Sequence, residues 1–149
     1  MVYAGCRPAS EPVRNVQERR QKNLILILAR EFASKLATAT FIADADGNLV
    51  FYNEATEDLL GRTFAEAGEM SATEWAELFE VEELDGSPMP LERMPAGIAL
   101  LERRPAHHDF RITGLDGVKR EISVTAFPLL AQADELVGVV AIFWKPQSG

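Results

Sequence analysis

The sequence has 149 residues, of which 47% are hydrophobic and 26% are charged, and its formal net charge is −8. These values are typical of one globular domain with a sizeable core. An acidic chain repels phosphate backbones, which argues against nucleic acid as the main ligand. The single cysteine, Cys6, excludes a disulfide framework and a cysteine-based zinc site. With no signal peptide and no apolar run of about 18 residues, we expect a cytoplasmic protein.

The first 36 residues differ from the rest of the chain in charge. They contain seven Lys or Arg and three Glu, whereas residues 37–149 contain eight Lys or Arg and twenty Asp or Glu. Residues 1–12 are predicted to be a flexible tail. Residues 13–36 are predicted to form a helix, because good helix formers flank the apolar run LILIL, which by itself would also suit a buried strand.

The apolar run makes this helix hydrophobic nearly all round. Such a helix needs a domain face and a partner, or a second copy of itself. We therefore predict a homodimer with this helix at its interface. The candidate interface residues are Leu24, Ile25, Leu26, Ile27, Leu28, Phe32 and Leu36.

The stretch FIADADGNLVFYNEA contains a pattern that is also found in calcium loops. Asp44, Asp46 and Asn48 have the spacing of the first EF-hand ligands, but the positions for glycine and the last glutamate hold Leu49 and Ala55. Asp-Gly between two apolar runs is instead a hairpin signal. We interpret the stretch as a turn between two strands, with Asp44 at the end of the first, and predict no metal site.

Short helical patterns follow this hairpin. Asn53 is predicted to cap an acidic helix that ends at Gly61. Ser71 and Glu74 have the spacing of a capping box before a second helix. The segment LERMPAGIALLERR is predicted to be helical from about Pro95, which suits the first turn.

Three strand patterns complete the chain: AHHDFRIT, KREISVTAFPLL and LVGVVAIFW. The last is apolar at every position, so it is predicted to lie in the middle of the sheet with both faces covered. The order of elements predicts an α+β fold with a five-stranded antiparallel sheet. The short helices would cover one face of this sheet, and the N-terminal helix the other.

The stretch FIADADGNLVFYNEATEDLLG resembles the opening of a PAS domain, and LDGVKREISVTAFPLL with ELVGVVAIFWKP looks like its last two strands. The resemblance covers Leu36 to Pro146, which sets the predicted PAS domain at residues 37–146 and a tail at 147–149. It implies a sheet wrapped by helices around a small central cavity. It also implies a sensor or dimerising signalling module without catalytic output, which acts through a downstream signalling protein.

The resemblance allows family cofactors to be compared with this sequence. A flavin–cysteine adduct needs a cysteine on the helices, and none follows Cys6, which excludes the adduct but not flavin bound without one. Haem-binding members commonly use a histidine on the long helix before the third strand. That helix has none here, and its Met94 is interpreted as a core residue, so haem is not favoured. The cofactor stays unassigned.

A small hydrophobic or lipid-like ligand would suit the cavity that the resemblance implies. Its candidate contacts are Trp75, Leu78, Met94, Ile98, Leu101, His108, Phe110, Val124 and Val139. A filled core would show the same residues, and for any one of them core packing is the preferred interpretation.

Two functions of other classes stay open. A small isomerase would need a carboxylate isolated among apolar residues; the acids instead cluster on helix faces and in turns, and Asp109 faces away from Phe110. A membrane-surface regulator would use basic residues of the N-terminal helix, but these precede the apolar run instead of interleaving with it, so a membrane is not the favoured partner. They are Arg14, Arg19, Arg20 and Lys22.

Overall fold

In a computed structural model of the protein, the described residues are 20 and 24–145. Helix α1 covers residues 24–34 of this part. The elements that follow are β1 (Ala39–Asp44), β2 (Leu49–Tyr52), α2 (Glu54–Leu60), α3 (Phe64–Ala67), α4 (Ala72–Leu78), α5 (Pro95–Glu102), β3 (Ala106–Thr113), β4 (Lys119–Leu130) and β5 (Leu136–Trp144). The predicted tails and the basic residues Arg14, Arg19 and Lys22 lie outside the described residues.

The five strands form one antiparallel sheet in the order β2-β1-β5-β4-β3. The apolar strand β5 is its centre and pairs with β1 on one side and β4 on the other. Five consecutive residues of β5, 137–141, are buried, because both faces of the sheet are covered there. The predicted α+β fold and the central place of this strand are confirmed.

The two faces of the sheet carry different elements. On the inner face, β3, β4 and β5 contribute large apolar side chains to the main core, which the later helices cover; Phe110, Ile122 and Phe143 are examples. On the outer face, Ile42 and Val140 form a smaller cluster with α1. The sheet therefore separates a large core from a small one.

Local signals in the sequence fix most helix ends. Ser71 and Glu74 form the predicted capping box at the start of α4, and Gly61 ends α2 with a φ of 82°. A second capping box, from Thr63 and Glu66, begins α3, which is not among the predicted helices. These side chains satisfy backbone N–H groups that have no partner within the helix.

The stretch DADGN is a tight turn between β1 and β2. The Asp44 carboxylate accepts hydrogen bonds from the backbone N–H groups of Asp46 at 2.9 Å and Asn48 at 3.0 Å. Gly47 has a φ of 88°, which glycine adopts at no steric cost. The predicted turn, with Asp44 as the last residue of the first strand, is confirmed.

Candidate functional site

Four aromatic side chains fill the centre of the inner face. Phe41 of β1 stacks on Trp75 of α4 with ring centroids 5.4 Å apart, and Phe143 of β5 meets Phe41 edge-on at 5.2 Å. Phe79 follows Trp75 by one helical turn and contacts its ring at 5.8 Å. All four rings are buried. Offset and edge-on aromatic contacts stabilise beyond the area they bury, so this region is mainly packed core.

A small apolar cavity of about 30 Å³ remains beside these rings. Its walls come from β1, β2, β5, α4, α5 and the 3₁₀ helix at Leu91–Arg93. One water needs about 10–15 Å³ by this measure, whereas sites for drug-sized ligands occupy about 300–1,000 Å³. The inner face in this conformation therefore has no room for a flavin, a haem or a molecule of similar size.

The structure brings three of the nine predicted contacts, Trp75, Met94 and Val139, to the wall of this cavity. Phe110 and Val124 are buried in the same core without lining the cavity. Contact of these residues with a ligand stays a prediction, because packing alone accounts for their positions.

Two predicted contacts, Leu78 and Leu101, lie on the surface, which corrects their expected position. In α5, Ala96 and Leu100 are four residues apart and face the cavity, so Leu101 points about 100° away from it. The same geometry in α4 turns Leu78 outwards beside the buried Phe79. Ile98 is half-buried and does not line the cavity either.

His108 belongs to a polar cluster next to the inner core instead of the cavity wall. Its Nε2 lies 2.8 Å from Glu83 Oε1, and the Arg93 guanidinium lies 2.8 Å from Glu83 Oε2 as an ion pair without hydrogen-bond alignment. Glu83 is only 8% exposed, whereas both partners are partly exposed. The carboxylate is thus contacted from both sides, and its contact with His108 connects the chain before α5 to β3.

Glu83 is a buried acid that the sequence analysis does not single out. It lies in the acidic run ELFEVEELDG, where composition indicates solvated side chains. Asp109, in contrast, faces away from the inner core as predicted, and its carboxylate accepts a hydrogen bond from Ser123 Oγ at 2.7 Å. Neither carboxylate lines the cavity.

Helix α1 presents a row of apolar side chains to solvent. Leu24, Ile27, Leu28 and Phe32 are 54%, 54%, 58% and 67% exposed. Three- and four-residue steps place them on one side of the helix, and we call these four residues the α1 stripe. Leu26, on the opposite side, packs against the outer face of the sheet.

The two remaining predicted interface residues, Ile25 and Leu36, are half-buried. The stripe therefore contains four of the seven predicted residues, and the helix has one apolar side on the sheet and a second one in solvent. No ion pair or hydrogen bond involves the stripe side chains, since they carry no polar groups.

A family model described as PAS fold matches residues 33–148. The chain belongs to the PAS family. The resemblance seen in its sequence is thereby confirmed, and the match includes every strand and helix from β1 to β5. No curated protein matches the sequence.

The fold is similar to solved PAS domains at low sequence identity. The PAS domain of BvgS from Bordetella pertussis is 19% identical, with a TM-score of 0.55 over 83% of this chain and 86% of that one. The PAS domain of nitrogen regulation protein NR(II) from Vibrio parahaemolyticus is 18% identical, with a TM-score of 0.56 over 79% and 97%. That of the fruit-fly ELK potassium channel is 10% identical, with a TM-score of 0.64 over 83% and 98%.

PAS domains are generally sensory and signalling modules, and this is the broad role of the chain. Among the residues that the structure describes, no helix is both long and apolar enough to cross a bilayer. Two features of this PAS domain bear on a narrower role. They are the cavity on the inner face and the α1 stripe on the outer side.

Proposed function

We propose that this PAS domain is a dimerising signalling relay in which two copies pair through the α1 stripe. The observation that supports it is the exposure of four large apolar side chains on a helix whose other side is docked on the sheet. Contiguous exposed apolar surface of this kind marks interaction sites in soluble proteins. The arrangement of the two helices would be the signal that a downstream protein reads.

A second copy fits the stripe well for geometric reasons. Apolar side chains at three- and four-residue steps allow two helices to pack along a common seam. A two-fold axis places the same patch on both sides of the interface. Glu31 and Lys35 border the stripe, carry opposite charges and pair at 3.5 Å. Pairing of two copies along the stripe would therefore not bring together edges that carry only one sign of charge.

The test uses two leucines of equal exposure on different helices. Leu28, in the stripe, is 58% exposed, and Leu101, on α5, is 59% exposed. We expect the wild type to have twice the chain mass of 16.5 kDa by light scattering. Leu28→Glu is expected to give the monomer mass because it places a charge in the apolar seam, whereas Leu101→Glu is expected to leave the dimer intact.

Circular dichroism of all three proteins establishes that the fold is kept. A wild type with the monomer mass at every concentration measured would overturn the proposal. A Leu28→Glu variant that remains dimeric would show that another surface forms the dimer.

The cavity supports a second candidate function, the binding of a small hydrophobic ligand. Leu91 and Met94 line both the cavity and an open surface groove between α4 and the segment 88–91. Displacement of these two side chains would join the cavity to the groove and form a larger site. Its walls are mainly apolar, which suits a hydrophobic or lipid-like molecule.

Native mass spectrometry and an absorption spectrum of the protein as purified test this second function. We expect an additional mass that is lost in Met94→Trp, because the larger side chain fills the space between the cavity and the groove. Leu101→Glu, which lies away from both, should retain the mass. A wild type with the mass of the polypeptide alone and no visible absorption would contradict ligand binding.

A further inference from the structure

Asn53 joins β1 and α2 through the oxygen of a buried side chain. It lies between β2 and α2 and is 2% exposed. Its Oδ1 accepts hydrogen bonds from the Thr40 N–H at 3.0 Å, the Thr56 N–H at 3.1 Å and the Thr56 hydroxyl at 2.9 Å. This half of the side chain caps α2 and fixes it to β1.

The amide nitrogen of Asn53 bonds to the chain at the end of α1. Nδ2 donates to the carbonyl oxygens of Ala33 and Thr38, both at 2.9 Å, and lies 3.4 Å from that of Leu36. Carbonyl groups in the last turn of a helix lack partners within the helix. The nitrogen therefore holds the end of α1 against the sheet, at a site buried from water.

The two halves of this side chain serve different elements. Loss of the NH₂ donor removes the side-chain hydrogen bonds to the Ala33 and Thr38 carbonyls. Each carbonyl keeps one other donor, the Leu36 N–H at 3.1 Å for Ala33 and the Thr40 hydroxyl at 2.9 Å for Thr38, so the loss acts on the attachment of α1 by Asn53. A side chain that keeps the oxygen and lacks the NH₂ group would retain the cap of α2 and lose the attachment of α1. This separation is open to experiment because aspartate has the same shape as asparagine and caps helices equally well.

We propose that Asn53 is the positioning residue that couples the docking of α1 to the position of α2 and β1. The planar amide is rigid, so a displacement of its oxygen partners also displaces the nitrogen that holds α1. The inference rests on the proposed function, to which it adds a residue that controls how the α1 stripe is presented to a second copy. Coupling between two sites requires an element whose position depends on both of them. Here the two sites are the Asn53 attachment and the α1 stripe, and the shared element is α1.

Hydrogen exchange of Asn53→Asp tests the coupling. We expect exchange of residues 24–36 to speed up about tenfold or more, because the carboxylate repels the Ala33 and Thr38 carbonyls to which the NH₂ group donated. Exchange of residues 54–60 is expected to stay within about twofold, because the cap is retained. Trypsin cleavage after Arg30 and Lys35 should become faster in parallel, since both residues lie at the surface.

Asn48→Asp is the matched control. It makes the same chemical change in the β1–β2 turn, where the structure gives the Asn48 side chain no hydrogen bond with any described residue. In this variant, the exchange of α1 and α2 should be the same as in the wild type. If Asn53→Asp does not fold, Asn53→Ser tests the coupling in its place. Serine also caps α2, but it is neutral and too short to reach the end of α1.

Unchanged exchange of residues 24–36 in a folded Asn53 variant would overturn the coupling. Equal acceleration in both segments would overturn it too, because Asn53 would then stabilise the whole domain without linking particular parts. The mass in solution is measured separately. A monomeric wild type would contradict the proposed dimer and leave the exchange comparison intact.

Discussion

The two faces of the sheet are covered in different ways. On the inner face, aromatic rings from α4 and the strands pack so closely that a cavity of only about 30 Å³ remains. On the outer face, α1 contacts Ile42 and Val140 mainly through small or partly buried side chains, Leu26, Ala29 and Ala33. The other side of α1 is apolar and exposed.

This difference shows where the domain is rigid and where it can respond. Alanine side chains let α1 approach the sheet but bury little apolar area, so hydrophobic contact alone holds the helix weakly. The Asn53 amide supplies a polar attachment at the end of α1. Elements with few buried apolar contacts have low local stability, and elements that move in signalling are drawn from them. In the proposed relay, the inner core is the rigid part, and α1 is the element that responds.

The largest expected loss of stability follows from a substitution in the inner core. Trp75→Ala should lower the free energy of unfolding by about 3–5 kcal/mol, because it removes a large buried ring and leaves a cavity. Trp144→Ala is the control: this exposed ring stacks on His107 at 6.0 Å, and its loss should cost less than about 1 kcal/mol. Urea denaturation followed by circular dichroism measures both, and similar losses would refute the idea of a rigid inner core.

A matched pair of isoleucines compares the two faces directly. Ile122 on the inner face and Ile42 on the outer face are both fully buried. Ile122→Val should cost about 1–1.5 kcal/mol because its neighbours cannot close the space, and Ile42→Val about 0.5 kcal/mol because α1 can shift. Chemical denaturation of the two variants gives both values. A larger loss at Ile42 would mean that α1 is as firmly packed as the inner helices.

The features that the sequence predicts correctly are local ones. The turn at Gly47, the capping box of Ser71 and Glu74, and Pro95 in the first turn of α5 each depend on a few neighbouring residues. The side of α5 that faces the cavity cannot be predicted from such local signals. It is set by close packing at Gly97, where any side chain would overlap the backbone carbonyl of Leu91.

Asn53 and Glu83 show which properties of polar residues cannot be predicted from the sequence. The sequence indicates that Asn53 caps α2, but its amide nitrogen bonds to carbonyl groups 15 and 20 residues earlier, which no local pattern encodes. Glu83 is buried where His108 and Arg93, from separate elements, converge on it. Both positions depend on tertiary contacts that become visible once the strands are paired.

An effect much smaller than that of Trp75→Ala concerns the closure of the inner face at β2. The Tyr52 hydroxyl donates a hydrogen bond to the Arg62 carbonyl at 2.9 Å. Burial, followed by the nearby Glu57 carboxylate, raises the pKa of Tyr52 from 10.0 to about 12. Unfolded tyrosine ionises near pH 10, so the stabilisation is fully present below about pH 10 and is lost as the pH rises towards 12.

Tyr52→Phe should therefore be less stable than the wild type by about 1 kcal/mol at neutral pH, because the hydrogen bond is lost. The difference should shrink between about pH 10 and pH 12, since phenylalanine has no proton to lose. Unfolding measured across this range, with an absorbance titration of the phenol, checks both statements. A constant difference at all pH values would show that the Tyr52 hydroxyl already ionises as it does in water, and that the inner face is open to solvent at this edge.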